Sequence, residues 1–276
     1  IRSATTLTKE LIEKADQMKL IVRAGAGVDN IDVETATAKK IPVMNTASAN
    51  SLAAAEQTIA LMFSMLRMIP QAYASLKQGK WDRKSFKGFE ATGKTLGLVG
   101  LGNIGKIVAE KAIGLGMKVV AFDPMISSLS QLPSTLTKQD ESFTLVSSLD
   151  NVLSTANILT VHVPKNEHTT HLINSESLAK MKDGSFLLNC ARGGIVDEQS
   201  VLNAVESGKL KFAAFDVFEK EPPEFSSPLF QHPNVICVPH LGASTHEAQT
   251  RVALTAANQM AGFFLNEEKT GVINNL

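Results

Sequence analysis

Three stretches of the chain set polar side chains of different chemistry immediately after apolar runs. In Leu187-Leu188-Asn189-Cys190-Ala191-Arg192-Gly193-Gly194 an arginine emerges beside two glycines. Phe215-Asp216-Val217-Phe218-Glu219-Lys220-Glu221-Pro222-Pro223 carries carboxylates in a loop stiffened by proline, and Val238-Pro239-His240-Leu241-Gly242 sets a histidine between an apolar run and a turn. Imidazole titrates near neutrality, so His240 suits removal of a hydroxyl proton. A buried carboxylate such as Glu221, or Glu219 in its place, would orient the ring and favour its protonated form. Arg192 could grip a substrate carboxylate through two parallel hydrogen bonds and polarise the reacting oxygen. The combination fits oxidation of an acid-bearing alcohol, in which a base takes the proton while a cofactor takes hydride. Singly, each has a plainer reading: a structural strand-end histidine, or an arginine and a glutamate that only pin loops.

A hydride acceptor needs its own cradle. Gly100-Leu101-Gly102-Asn103-Ile104-Gly105 fits G-x-G-x-x-G, closing the apolar run Leu96–Val99 and opening a helical pattern, which is the context that gives the motif meaning. Gly100 permits the tight turn, Gly102 admits a pyrophosphate near backbone amides, and Gly105 lets helix and strand pack closely. Asn103 and Ile104 complete the loop, and the helix start adds a partial positive charge. The next strand ends at Asp123, 18 residues after Gly105, close to where an acidic side chain accepts from an adenosine ribose. A carboxylate there repels a 2′-phosphate, so NAD is favoured over NADP. The plainer alternative is a glycine turn with an aspartate that caps it locally.

These residues need a scaffold with many strand ends on one side. Apolar strands are expected at Thr95–Val99, Lys118–Phe122, Ile158–Val163, Ser185–Asn189, Phe212–Val217 and Val235–Val238. Helical patterns lie between several of them, at Ile104–Ile113, Leu149–Thr155, Asn174–Met181 and Gln199–Glu206. Strands alternating with helices imply right-handed crossovers and a parallel sheet covered on both faces. In such sheets the carboxyl ends line the ligand crevice, where the arginine, one of the two glutamates and the histidine could converge. Upstream, Leu20–Arg23 and Ile41–Asn45 read as strands around a helix at Val33–Lys40. A long helix, apolar over much of its circumference, is expected from Ser51 to Ile69, stopped by Pro70. Ser127–Glu141 reads as a polar surface loop, and Ser244 with Glu247 as a capping box opening a last helix to Leu265.

Lysine plus arginine and aspartate plus glutamate both number 27, a balance that argues against nucleic acid as partner. No apolar run reaches the roughly 18–20 residues that span a bilayer, and no metal-ligand set is read, so neither membrane nor metal is expected. Cys190 and Cys237 sit in apolar runs as free thiols, consistent with a reducing, cytoplasmic setting. The chain opens at Ile1 without methionine or signal-peptide pattern and is expected to be a fragment.

The segments Asn189–Glu198, Asp216–Pro223, Pro239–Thr245 and Arg23–Asn30 together resemble the D-isomer-specific 2-hydroxyacid dehydrogenases, and the resemblance runs over essentially the whole chain. It implies an α/β architecture, a Rossmann-type doubly wound NAD domain (48–243) inserted into a smaller flavodoxin-like substrate domain (1–47 and 244–276) that lacks its beginning. It places the catalytic roles on Arg192, Glu221 and His240, adenosine-side contacts on Asp123 and Pro164, and nicotinamide-side contacts on Ala191 and Asp216. It also implies a homodimer or tetramer, the dimer built mainly through the cofactor domain, for which the Ser51–Ile69 helix is suitably apolar. Arg2 and Ser3 match a pair that handles a phosphorylated substrate, the turn Ala26-Gly27-Val28 could offer amides to its carboxylate, and Asn50 matches a substrate-contacting asparagine. The small-molecule substrate implied is 3-phosphoglycerate. Reduction of glyoxylate or hydroxypyruvate, or D-lactate-type oxidation, would use the same catalytic residues, and an NAD-sensing corepressor would keep the same fold.

Overall fold

The computed structural model describes residues 1–137 and 141–276. Along the chain it forms α1 (Lys9–Lys14), β1 (Ile21–Arg23), α2 (Val33–Ala38), β2 (Val43–Asn45), α3 (Ser51–Leu66) and α4 (Ile69–Lys77). There follow β3 (Thr95–Val99), α5 (Asn103–Gly114), β4 (Lys118–Phe122), α6 (Ser134–Thr137), β5 (Phe143–Leu145), α7 (Leu149–Thr155) and β6 (Ile158–Val161). The last elements are α8 (Ser175–Lys180), β7 (Ser185–Asn189), α9 (Glu198–Glu206), β8 (Leu210–Phe215), β9 (Val235–Cys237) and α10 (His246–Asn266). The chain divides into two compact units, one of Ile1–Ala53 with Ala243–Leu276, the other of Ala54–Gly242.

The smaller unit holds the parallel pair β1–β2. Its core gathers Ile12, Ile21, Ile31, Ala36, Ile41 and Val43. The larger unit holds a seven-stranded sheet in the order β5-β4-β3-β6-β7-β8-β9, every neighbouring pair parallel. The chain winds outward from β3 to β5, then restarts at β6 on the other side of β3. That reversal between β3 and β6 is the switch point at which such sheets open a crevice.

Strand alternation divides the larger core in two. Leu96, Leu98, Val119, Ile158, Phe186, Leu188 and Phe212 pack with Leu61, Met62 and Met65 of α3 and with Val108, Ala109 and Ala112 of α5. Val99, Leu159, Val161, Leu187, Ala213 and Phe215 pack instead with Val152 and Leu153 of α7, Leu178 of α8 and Val201, Leu202 and Val205 of α9. Each fully buried leucine or phenylalanine contributes about 1.5–3 kcal/mol. Gly97 is needed where α7 crosses β3, because a Cβ there would come within 2.6 Å of the Ala156 methyl and 2.8 Å of Val152.

Several boundaries differ from the sequence expectation. The Ser51–Ile69 helix is two helices: α3 stops at Leu66, Met68 turns left-handed at φ 51°, and Pro70 sits in the first turn of α4. Proline is tolerated in a first turn because its missing N–H has no intrahelical partner there. The two helices meet at 61°, and among the described residues no single helix is long and apolar enough to cross a membrane. The cap of α10 is Thr245 rather than Ser244, its extended backbone letting the hydroxyl accept from the Ala248 N–H at 3.1 Å. Strand β6 stops at Val161, and β8 runs Leu210–Phe215, which leaves Asp216 to open the following loop. Within the expected loop Ser127–Glu141, a short 3-10 turn (Leu129–Gln131) and α6 form, while 138–140 lie outside the described residues. Strand β5 and helix α1 are short elements that periodicity did not reveal.

Candidate active site

The three catalytic candidates follow three adjacent strands. Arg192 lies in the turn after β7, Glu221 in the loop after β8 and His240 after β9. The structure brings His240 and Glu221 together: His240 Nδ1 and Glu221 Oε2 are 2.7 Å apart. The other oxygen of Glu221 accepts from the Phe218 N–H at 3.0 Å, so its carboxylate is held from two sides. Glu219 is turned elsewhere, its Oε1 3.0 Å from His171 Nε2.

His240 adopts φ 52°, a left-handed conformation uncommon for a side chain with a Cβ. Asp216 holds the turn in that shape. It is 1% exposed, and its two oxygens accept from the Leu241 N–H at 2.6 Å and the Gly242 N–H at 2.8 Å. Burial pushes its carboxyl above the usual range, opposed by those two amides and by the charge of His240. Both oxygens of a residue expected at the nicotinamide are thus engaged by the histidine turn.

The arginine turn is held by a residue the sequence analysis gave no role. Asn189 Oδ1 accepts from the Ala191 N–H at 3.1 Å and its Nδ2 donates to the Arg192 carbonyl at 3.0 Å. An asparagine bonding the amide two residues on is a known local turn, which was the available signal. Arg192 itself donates from Nη1 to the Ala191 carbonyl at 2.8 Å. Gly193 lets this turn lie directly on the carboxylate loop: an added Cβ would overlap the Phe218 carbonyl and come within 2.6 Å of the Glu219 nitrogen.

The cofactor candidates gather at the ends of β3, β4 and β6. At Gly100, φ 97°, a Cβ would come within 2.7 Å of the His162 carbonyl oxygen, and at Gly105 it would overlap the Gly100 carbonyl oxygen. At Gly102 a Cβ would meet nothing within 4 Å, and this residue starts α5 without a side-chain cap. The first turn, with Asn103 and Ile104, therefore faces open space with amides available to an anion. Asp123 accepts from the Leu101 N–H at 2.8 Å and the Met125 N–H at 2.9 Å. Beside it a cavity of about 300 Å³ is lined by Phe122, Pro124, Ile126, Leu145 and Val146 and by the polar Asp123, Ser127 and Ser147. A glycine cradle over open amides, with a carboxylate beside a cavity of mixed polar and apolar lining, fits a dinucleotide. Pro164 follows β6 and its carbonyl accepts from Thr169 Oγ1 at 2.6 Å. Ala191 is buried.

The substrate candidates belong to the smaller unit. Arg2 and Ser3 are exposed in a turn whose Arg2 carbonyl accepts from Thr5 and Asn30. Ala26, Gly27 and Val28 form the turn after β1, with the Ala26 carbonyl accepting from Asn45 Nδ2 at 2.8 Å. Asn50 is 9% exposed, and its buried Oδ1 has no hydrogen-bond partner among the described residues.

Both cysteines are free. Burial pushes each thiol up to about 12, so both stay protonated near neutral pH and neither is a candidate nucleophile. Among the described residues, no group of three or more histidine, cysteine, aspartate or glutamate side chains is arranged to hold a metal ion.

Residues 59–242 match the model of the D-isomer specific 2-hydroxyacid dehydrogenase, NAD binding domain. The chain is 45% identical to the D-3-phosphoglycerate dehydrogenase of Methanocaldococcus jannaschii, over 99% of its own length and 51% of that protein. It is likewise 45% identical to the hydroxypyruvate reductase of Thermotoga maritima, covering 92% of the chain and 80% of that protein. A crystal structure of a glyoxylate reductase from Paecilomyes thermophila superposes with a TM-score of 0.87 at 32% identity, over 97% of this chain and 79% of that one. The chain spans about half the length of the D-3-phosphoglycerate dehydrogenases it matches.

Proposed function

Because this chain belongs to the D-isomer specific 2-hydroxyacid dehydrogenases by its NAD-binding domain, we propose that it carries out the NAD-dependent oxidation of D-3-phosphoglycerate to 3-phosphohydroxypyruvate, the first step of phosphorylated serine biosynthesis. The observation that carries the chemistry is the 2.7 Å contact between His240 and Glu221. With Nδ1 committed to Glu221, Nε2 is the nitrogen left to take the C2 hydroxyl proton. Glu221 stabilises the imidazolium that results. Arg192 anchors the substrate carboxylate and draws electron density toward the developing carbonyl. NAD, when bound, supplies the nicotinamide that accepts the hydride from C2. Asp123 and the open first turn of α5 hold the dinucleotide, and the carboxylate selects against a 2′-phosphate. In the smaller unit, the residues proposed to contact substrate are Arg2, Ser3, Ala26, Gly27, Val28 and Asn50.

The phosphorylated substrate is supported by the relatives named D-3-phosphoglycerate dehydrogenase, matched over 99% of this chain. Reduction of hydroxypyruvate is the second reading, supported by the Thermotoga maritima relative. We expect purified protein to form NADH from 3-phosphoglycerate, and Arg2→Ala to raise KM for it at least about tenfold, the scale of a charge-assisted phosphate contact. Turnover of hydroxypyruvate or glyoxylate with none of 3-phosphoglycerate would move the protein to the reductase reading.

We also propose a cytoplasmic homodimer. In the larger unit, Ile69, Tyr73 and Leu76 lie at helical spacing along α4 and are more than half exposed, with Trp81 beyond them 79% exposed. An apolar stripe of this kind is what a subunit interface buries. Sedimentation should therefore report twice the 29.6 kDa of one chain, and Tyr73→Glu should halve it. A wild-type monomer at micromolar concentration would refute the dimer.

A further inference from the structure

We infer that Glu198 is a positioning residue, which sets the carboxylate of Glu221 on His240 by holding the peptide between Phe218 and Glu219. The inference rests on the reading of Glu221 and His240 as the acid–base pair. Glu198 opens α9, directly after the cap residue Asp197. Its Oε1 accepts from the Glu219 N–H at 2.7 Å, well inside hydrogen-bonding distance. The same peptide is closed off from below by Gly193, over which the Phe218 carbonyl and Glu219 nitrogen lie too close for any Cβ. On its far side Glu219 reaches His171, whose own N–H donates to the Gly194 carbonyl at 2.7 Å. The loop is thus fixed at residue 219 by α9, by the arginine turn and by the segment after β6. Two residues later comes Glu221, which returns to accept from the Phe218 N–H and meets His240.

The placement is costly. Glu198 is half-buried, and burial first, then the like charges of Glu219, Asp197 and Glu221, push its carboxyl above the usual range, opposed by the Glu219 amide. A carboxylate kept among three others needs a compensating contact, and the Glu219 amide supplies one. What Glu198 contributes on this view is reach, not charge.

Three substitutions separate the two. Glu198→Gln keeps an oxygen at the same reach without charge; Glu198→Asp keeps the charge but withdraws it by one bond, about 1.5 Å; Glu198→Ala removes both. Crystal structures of the variants give a readout independent of activity. The His240–Glu221 contact should persist in the Gln variant and open beyond 3.5 Å in the Asp and Ala variants. In steady-state assays, kcat should fall about 10–100-fold for Asp and Ala and stay within about threefold for Gln, with NADH affinity by fluorescence unchanged. The loss from Glu198→Ala should vanish in a Glu221→Ala background, because a residue acting through another is non-additive with it, whereas a merely structural role would add in full. A closed contact in the Asp and Ala variants, a Gln variant as impaired as Ala, or full additivity with Glu221→Ala would each overturn the inference. If the wild type turns over none of the 2-hydroxy or 2-oxo acids, the functional reading fails, and the variant structures alone decide the role of Glu198. Should Glu198→Ala not fold, the Asp and Gln pair still tests reach against charge.

Discussion

Replacing His240 by asparagine is expected to lower kcat about 10²–10⁴-fold while the affinity for NADH stays within about twofold. The size follows from the loss of a positioned base, whose typical contribution spans that range. Asparagine is the informative choice because His240 sits at φ 52°, a region asparagine tolerates better than alanine. The turn, held by Asp216 through the Leu241 and Gly242 amides, then survives, and the change isolates proton transfer from backbone disruption. The glycine turn Gly100–Gly105, proposed for the pyrophosphate, joins β3 to α5 and should not register the substitution. Steady-state rates and fluorescence titration with NADH check both halves. A variant within tenfold of wild type would remove His240 from the role of base.

Gly193→Ala carries the second-largest expectation, a loss of stability together with activity. The added methyl would overlap the Phe218 carbonyl, a backbone group that no side-chain rotation can clear. Either the arginine turn or the carboxylate loop has to move. Overpacking of this kind costs about 1–3 kcal/mol, which in a domain of this size lowers Tm by roughly 3–10 °C. Because the displaced elements carry Arg192 and Glu221, kcat/KM should fall more than about 100-fold even well below Tm, a loss of the size that slight misplacement of reacting groups produces. Thermal unfolding followed by circular dichroism, with rates at 20 °C, would decide it. Wild-type rates in a protein with lowered Tm would mean that the contact serves folding alone.

Much of the larger unit can be read from the chain because its signals are local. The strands are apolar runs, and the glycine turn announces itself between one such run and a helix. Arg192 and His240 declare themselves as polar residues after such runs. What stays hidden depends on distant partners. Asp216 takes its amides from residues 25 and 26 positions away, and nothing near it in sequence says so. Glu219 and Glu221 are two residues apart in an irregular loop, where no periodicity ranks them; only the fold sends one to His171 and the other to His240. The break after Leu66 hinges on Met68 turning left-handed, which methionine does not advertise. A continuous apolar pattern therefore reads as one helix.

Arginine, glutamate and histidine follow β7, β8 and β9, which are neighbours in the sheet. Adjacent strands are spaced about 4.8 Å apart, so the hydrogen-bond ladder acts as a ruler, and the points at which the three loops leave the sheet span roughly 10 Å. In the proposed roles the reactant meets Arg192 and His240, with Glu221 behind the histidine, so its acid group and its reacting hydroxyl must lie within a few carbons of each other. The backbone thus imposes a size limit before any side chain selects, and loop sequence can retune which small acid is accepted without resetting the scale.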